Sequence, residues 1–205
     1  MRLLRPLSAS PPPPARLPGR RVYLRQPEDR DWRPWADLRA LSRAFLSPWE
    51  PTWPADALTR EAFRRRLRRY GIDWREDAGY SLFIFRMEDD ALVGGVTLGN
   101  VRRGVAQAAT LGYWIGQPYA RQGYMTDALK VTITFAFQTL QLHRLEAACL
   151  PSNEASRGVL FKLGFRDEGY ARKYLRINGD WHDHMLFALL AEEAGYSPPL
   201  DRAVE

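Results

Sequence analysis

Residues 111–127 read LGYWIGQPYARQGYMTD and form the most informative segment of the chain. The apolar run that ends at Ile115 predicts a strand, and the spacing of apolar residues from Tyr124 onward predicts a helix. A polar turn joins the two and carries Gly123 directly before the helix. Because a helix N-terminus presents free backbone N–H groups and the positive end of a dipole, such a turn favours binding of an anion such as a phosphate. An ordinary strand–helix connection is the alternative interpretation of this stretch taken alone.

The flanking sequence predicts an α+β domain with elements in the order β-α-α-β-β-β-α-β-α-β-β. Residues 151–170, PSNEASRGVLFKLGFRDEGY, predict a helix from Asn153 that Gly164 terminates. Asn178-Gly179 is typical of a hairpin turn between the last two strands. The predicted strands span residues 22–24, 80–85, 92–98, 108–115, 145–150, 165–175 and 181–189. The predicted helices span residues 29–45, 59–70, 124–142 and 153–163.

The composition excludes several classes of protein. Of the 205 residues, 45% are hydrophobic and 26% are charged, which is ordinary for a globular domain. No apolar run approaches the ~18 residues of a membrane span, so we expect no membrane partner. The single cysteine, Cys149, excludes an internal disulfide and is expected to be a buried structural residue. This cysteine usage fits a reducing cytoplasm, where we expect the protein to be located.

The formal net charge of +6 arises in residues 1–27, which hold six arginines and no acidic residue. Because the rest of the chain is neutral overall, we expect only weak RNA contact, made through this basic N-terminal arm. Residues 11–14 are consecutive prolines, so residues 1–20 are predicted to be a disordered, extended arm. The domain is then expected to span residues 21–190, followed by a tail over residues 191–205.

The segments 111–127 and 151–170 together resemble the GNAT superfamily of acetyl-CoA-dependent N-acetyltransferases, and the resemblance covers about residues 21–190. Residues 45–51 (FLSPWEP), 112–116 (GYWIG) and 175–184 (LRINGDWHDH) are similar to its RimJ/RimL branch, the ribosomal-protein-alanine N-acetyltransferases, and to the RimJ arm in particular. The resemblance implies the GNAT fold, a mixed and largely antiparallel sheet of seven strands flanked by about four helices. It also implies acetyl-CoA as the co-substrate and no metal.

The family's pyrophosphate loop has the pattern Arg/Gln-x-x-Gly-x-Gly/Ala. Gly123 matches its middle glycine, whereas the first side chain and the last small residue are missing here. The resemblance therefore implies phosphate contacts through backbone amides, with Arg121 as a substitute charge. It also implies that the strand ending at Ile115 pairs with the pantetheine amides and that Asn153 contacts the cofactor arm. The implied cofactor-binding residues are Tyr113, Trp114, Ile115, Arg121, Gln122, Gly123, Tyr124, Met125, Thr126, Asn153 and Ser156.

For catalysis, Ser156 matches the serine that is thought to protonate the departing thiolate in the RimL arm; capping of the helix N-terminus is the alternative role. Family members place a glutamate near the positions of residues 109–111 or of Tyr174, and this chain has none at either place. Glu50 is therefore the predicted second catalytic residue, because the family likeness puts its aromatic loop near the acceptor. The other acidic candidates are Glu146, Glu168 and Asp183.

The lack of a clear base favours a weakly basic acceptor. A terminal α-amine has a pKa of ~7.7–8.0 against ~10.4 for lysine, so roughly one terminal amine in ten is already neutral at pH 7. The resemblance implies a ribosomal protein as the acceptor, and together with the missing base it predicts acetyl transfer to the N-terminal α-amine of that protein, at alanine or serine. Acetylation of a small-molecule amine is one alternative, and an RNA-binding ribosome assembly factor with a vestigial site is the other.

Two further patterns have a weaker link to function. His182 and His184 lie on one face of a predicted strand, but without an evident third ligand we expect no metal site. The arginine run of residues 64–69 indicates a solvated helix face, or a contact to RNA or to the cofactor's phosphates.

Overall fold

The computed structural model describes residues 12–197 and places eight strands in one mixed sheet. The strands are β1 (Leu17–Pro18), β2 (Val22–Arg25), β3 (Tyr80–Arg86), β4 (Leu92–Arg102), β5 (Ala108–Ile115), β6 (Arg144–Cys149), β7 (Arg166–Ile177) and β8 (Asp180–Leu190). Their order in the sheet is β1-β2-β3-β4-β5-β6-β8-β7. Neighbouring strands are antiparallel except β5 and β6, which are parallel. The predicted α+β class and the mixed, largely antiparallel sheet are thus confirmed.

The helices are α1 (Trp32–Leu41), α2 (Arg43–Leu46), α3 (Arg60–Arg75), α4 (Tyr124–Thr134) and α5 (Glu154–Lys162). The single helix predicted over residues 29–45 is therefore divided, and the division falls at Ser42. The Ser42 side chain is fully buried, and its hydroxyl accepts a hydrogen bond from the backbone N–H of Gln117 at 2.9 Å. This tertiary contact fixes the α1–α2 junction against the turn that follows β5.

Helix α4 is shorter than the predicted span of residues 124–142. It ends at Thr134 and continues as a π-helical turn, Phe135–Thr139. The hydroxyls of Thr132 and Thr134 donate to the carbonyls of Ala128 and Lys130, at 2.9 and 3.1 Å. Such bonds compete with the regular helix ladder, so the β-branched run weakens the helix where it ends.

The core lies on both faces of the sheet, because β3 is buried on both sides. Ile84 faces a cluster that includes Leu129 of α4, whereas Phe83 faces a second cluster with Trp35 of α1 and Phe63 of α3. Successive strand residues point to opposite faces, so the continuous apolar run of β3 supplies both clusters. Helices α1 and α3 thus cover one face, and α4 covers the other.

Both predicted terminal regions contribute ordered residues. Leu17 and Pro18, within the predicted disordered arm, pair with Leu24 and Tyr23 of β2 and add the eighth strand. Tyr196, in the predicted tail, packs its ring against Phe137 with the centroids 5.6 Å apart. The other parts of the predicted arm and tail, residues 1–11 and 198–205, lie outside the described residues. No helix within the described span is long and apolar enough to cross a membrane.

Candidate active site

A gap opens in the sheet between β5 and β6. The two strands pair only from Ala108 with Arg144 to Thr110 with Glu146, although β5 continues to Ile115. Beyond Thr110, no strand of the described chain pairs with this edge of β5. Its free backbone N–H and C=O groups can therefore bind an extended, amide-containing ligand as a neighbouring strand would. The predicted cofactor-binding residues Tyr113, Trp114 and Ile115 lie along this edge.

The turn after β5 has a backbone shaped for an anion. Arg121 and Gly123 both adopt the left-handed conformation, with φ of 60° and 85°. Gly123 is the N-cap of α4 and, as a glycine, has no side chain with which to cap the helix. The first-turn N–H groups, those of Tyr124, Met125 and Thr126, consequently have no partner within the helix. The turn therefore offers backbone N–H groups of the kind that the predicted phosphate site requires.

Side chains around this turn add positive charge. Arg121 is exposed. The side-chain amide of Gln122 donates a hydrogen bond to the Pro118 carbonyl at 2.7 Å. Arg21 donates to the Gln122 carbonyl at 2.8 Å, and its guanidinium carbon lies 4.4 Å from the centroid of the Tyr124 ring. Arg21 thus supplies a second guanidinium beside the turn.

Sequence reasoning missed Arg21, because a contact across a hundred residues fixes its position. The Asp127 carboxylate, in the first turn of α4, accepts hydrogen bonds from the backbone N–H groups of Arg20, Arg21 and Val22, at 3.2, 2.7 and 3.2 Å. These bonds tie the start of β2 to α4. No local pattern in the sequence signals them.

Ser156 lies on the opposite side of the gap from β5, at the start of α5. Its hydroxyl oxygen is 2.8 Å from the phenol oxygen of Tyr113. The α5 cap is made by Asn153, whose side-chain oxygen accepts from the Ser156 backbone N–H at 3.1 Å. The capping role considered for Ser156 therefore belongs to Asn153, and the Ser156 hydroxyl is bonded to Tyr113 instead.

Burial keeps the groups around Ser156 protonated. Desolvation raises the pKa of Tyr113 to about 12, so its phenol is neutral and can donate to Ser156. Desolvation also raises the pKa of the Cys149 thiol, which interacts with Ser156 as well. Cys149 is buried, as predicted, and its raised pKa makes it a poor nucleophile.

Glu50 lies in the loop after α2, and its carboxylate is bonded to Arg39 and Trp53 and not to the Tyr113–Ser156 pair. Arg39 donates to both of its carboxylate oxygens, at 2.8 and 2.6 Å, and the Trp53 indole N–H donates at 2.8 Å. The Arg39 guanidinium carbon lies 4.3 and 4.9 Å from the ring centroids of Trp53 and Trp114. These contacts fix the loop against β5, which favours a positioning role for Glu50 over proton abstraction.

A cavity of about 390 Å³ lies beneath this loop. It runs between α3 and the strands β3, β4 and β5, on the face that carries α1. A Cβ at Gly95 would come within 2.5 Å of the Trp114 indole nitrogen, so only glycine there leaves room for the ring in its place. The hairpin between β7 and β8 borders the same loop, because Asn178 N–H donates to the Glu50 carbonyl at 3.0 Å. The cavity lining includes three charged residues, Arg39, Glu50 and Arg66, and six aromatic residues, Trp35, Trp53, Tyr70, Phe83, Tyr113 and Trp114.

The other acidic candidates form ion pairs or hydrogen bonds with neighbouring side chains. Glu146 accepts from Arg144 at 3.0 Å, and Arg144 also pairs with Glu168 and lowers the pKa of that carboxyl. Asp183 accepts from the Tyr170 phenol at 2.6 Å, a bond that lowers the pKa of Asp183. Each is thus held in an ion pair or a hydrogen bond with a residue other than Tyr113 and Ser156.

The two histidines do not form part of a metal centre in the described residues. The His184 Nδ1 atom lies 3.0 Å from the His182 carbonyl, and no group of three metal-ligating side chains occurs within residues 12–197.

Comparison with known proteins shows the family to which the chain is similar. Residues 21–166 match the family model described as an acetyltransferase (GNAT) domain. The chain is 37% identical over 174 residues to the Probable N-acetyltransferase YjcK of Bacillus subtilis, covering 85% of this chain and 96% of that protein. It is 36% identical over 178 residues to the ribosomal protein uS5-alanine N-acetyltransferase of Escherichia coli, covering 86% of this chain and 91% of that protein. The structure of Mycobacterium smegmatis RimJ in complex with CoA-disulfide is similar with a TM-score of 0.81 and 34% identity, covering 86% of this chain and 85% of that one.

Proposed function

The chain belongs to the GNAT acetyltransferase family and is an N-acetyltransferase, and from this premise we propose that it transfers the acetyl group of acetyl-CoA to the N-terminal α-amine of a ribosomal protein, at alanine or serine. The observation that carries this proposal is the Tyr113–Ser156 hydrogen bond across the gap between β5 and β6. The names of the Escherichia coli relative and of the RimJ complex support the acceptor class and the cofactor.

The residues around the gap fit acetyl-CoA. The uncapped N-terminus of α4 and the guanidinium groups of Arg21 and Arg121 suit a diphosphate. The open edge of β5 suits the amides of an extended pantetheine arm. Bound there, acetyl-CoA would supply an activated acetyl thioester.

The proton donor in this proposal is Ser156. Attack by a neutral amine places negative charge first on the thioester oxygen and then on the departing sulfur. A backbone N–H on β5 near Trp114 would stabilise the oxygen, and the Ser156 hydroxyl would protonate the sulfur. The Tyr113 phenol keeps its proton because burial raises its pKa to about 12, so it can donate to the Ser156 oxygen and stabilise it as the serine proton leaves.

The acceptor amine would lose its proton to water. Each acidic candidate is bonded to an arginine, a tyrosine or a tryptophan, so none is free to take that proton. This arrangement suits an α-amine, which is partly neutral at pH 7, and not a lysine side chain. The aromatic cavity beside Trp114 would then hold the first residues of the acceptor.

The test is release of CoA thiol from acetyl-CoA with a panel of acceptors. The panel contains peptides that begin with alanine or serine, the same peptides with an acetylated N-terminus, an N-terminally blocked lysine peptide, and free amino acids. We expect turnover with the free N-terminal peptides alone, and mass spectrometry should place the acetyl group on the α-amine.

Two other outcomes would overturn the proposal. Faster turnover of free amino acids would make a small molecule the acceptor. Binding of RNA without turnover of any amine would favour the assembly-factor alternative.

A further inference from the structure

Most arginines on α3 have acidic partners. Arg60 and Arg64 pair with Asp29, Arg65 pairs with Asp56, and Arg69 pairs with Asp73. Three of the five arginines in the run that the sequence suggested as an RNA contact are therefore held in ion pairs. A phosphate backbone would need a row of free cations, which this face of α3 does not offer.

Arg66 differs from these neighbours. Among residues 12–197, no acidic side chain pairs with it. Its guanidinium carbon lies 5.4 Å from the centroid of the Trp35 ring, and its Nη1 donates to the Tyr70 hydroxyl at 3.3 Å. Both contacts hold the guanidinium in place, so a ligand would not have to order a free arginine side chain.

Arg66 is also part of the cavity beside Trp114. The other two charged residues in the lining, Arg39 and Glu50, neutralise each other through their bidentate ion pair. The cavity therefore carries one uncompensated positive charge, which belongs to Arg66. Such a charge attracts a carboxylate and repels a cationic side chain.

We infer that Arg66 forms a subsite that selects acceptors with an acidic side chain soon after the terminal residue. This inference rests on the proposed function, because the α-amine has to lie at the β5 end of the cavity, beside Gly112 and Trp114. An extended chain advances about 3.3 Å per residue, so one of the next few residues then lies against α3 and Arg66. The aromatic side chains of the cavity contact the acceptor's backbone. They also contact the apolar parts of the acceptor side chains that lie between its terminal residue and its acidic residue.

The experiment measures kcat and KM for peptides that begin with alanine and carry either glutamate or glutamine at position two, three or four. For the wild-type protein, we expect glutamate at one of these positions to lower KM by about three- to five-fold relative to glutamine, as for a partly exposed ion pair. The kcat should be the same for both peptides, and the preference should shrink as salt is added.

Variants assign the effect to Arg66. Arg66→Ala should abolish the difference between the two peptides, and Arg66→Glu should reverse it so that a lysine peptide is preferred. Arg68→Ala is the matched control, because Arg68 is exposed on the same helix and does not line the cavity. Thermal unfolding of Arg68→Ala should match the wild type, and the two Arg66 variants should be only slightly less stable, since Arg66 is exposed and loses only its contacts to Trp35 and Tyr70.

The outcomes separate this inference from the proposed function. Turnover of every peptide without any preference for glutamate would overturn the subsite and leave the proposed function standing. A preference that survives Arg66→Ala, or that Arg68→Ala removes as well, would also overturn it. Failure of every N-terminal peptide to react would overturn both.

Discussion

The Ser156 hydroxyl lies 2.8 Å from the Tyr113 phenol and joins the start of α5 to β5 across the gap in the sheet. Each residue has a further partner that fixes it. The Ser156 backbone N–H is held by the Asn153 side chain, and Tyr113 is part of the strand that pairs with β4 through Val96. The pair is therefore positioned before any ligand binds.

The first prediction concerns this pair. Ser156→Ala should lower kcat by about 10²-fold, the low end for loss of a general acid, and change the KM for acetyl-CoA less. Tyr113→Phe should produce a smaller fall in kcat, because Ser156 keeps its own proton. Steady-state kinetics at saturating peptide would measure both effects.

Stability measurements supply the control for this prediction. Asn153→Ala removes the α5 cap and should lower the free energy of unfolding by about 1 kcal/mol. Ser156→Ala leaves that cap in place and should have a smaller effect on stability. A Ser156→Ala variant with normal kcat and a reduced Tm would show that the serine is structural.

The second prediction concerns Gly123, whose φ of 85° is left-handed. An added Cβ atom would meet only the Arg21 guanidinium, at 3.9 Å, so the strain comes from the backbone. Asparagine tolerates this conformation and has the size of aspartate without its charge. Gly123→Asn should therefore keep micromolar binding of acetyl-CoA, whereas Gly123→Asp should weaken it by at least about tenfold by placing a negative charge beside the diphosphate. Calorimetry with acetyl-CoA measures both, and equal losses for the two variants would show that the backbone, not the charge, matters.

The order of strands and helices along the chain and the glycine-containing turn before α4 could be predicted because their signals are local. Strand β5 was predicted with its observed ends, and the glycine-containing turn before α4 follows from periodicity and Gly123 alone. The break at Ser42 could not be predicted, because its cause is a hydrogen bond to Gln117, 75 residues away. The two-residue strand β1 is too short for any periodicity to indicate it.

The sequence indicated which positions could belong to the candidate site, but it did not indicate which contacts their side chains make. The Asn-x-x-Ser spacing indicated a cap at the start of α5, but both residues could have served, and only the structure assigns the cap to Asn153. Tyr113 was expected to act through its backbone, yet its phenol contacts Ser156. The Arg39–Glu50 ion pair was not foreseen, because neither residue type signals its partner in the sequence.

The third prediction tests whether Glu50 positions the acceptor or acts as a base. Glu50→Gln would leave the Arg39 guanidinium, whose side chain is only 11% exposed, without its anionic partner. We expect a loss of about 2 kcal/mol in unfolding free energy and a higher peptide KM, because the loop that carries Trp53 loosens. The kcat at saturating peptide should stay near the wild-type value. A fall in kcat with an unchanged peptide KM would instead identify Glu50 as the base.

The fourth prediction follows from the raised pKa of Tyr113. Because the folded-state pKa of about 12 lies above the ordinary value of 10.0, the folded chain holds this proton more tightly than the unfolded chain. This contribution to the free energy of unfolding amounts to at most about 3 kcal/mol. It is complete below pH 10 and is lost as the pH rises toward 12. Denaturant unfolding of Tyr113→Phe across this range should show a shallower alkaline loss than the wild type. Identical slopes for the two proteins would contradict the burial of the phenol.

The fifth prediction concerns the pH dependence of turnover. If water removes the amine proton, kcat/KM should rise tenfold per pH unit below the pKa of the acceptor amine and level off above about pH 8. The Tyr113 phenol stays protonated far above this range, so no descending limb should appear below pH 10. Two peptides that differ only in the terminal residue, and hence in amine pKa, provide the control. The inflection should move with the acceptor, because it belongs to the acceptor's amine. An inflection that stays at the same pH for both peptides would assign it to a group on the enzyme and would show that a base within the protein removes the proton.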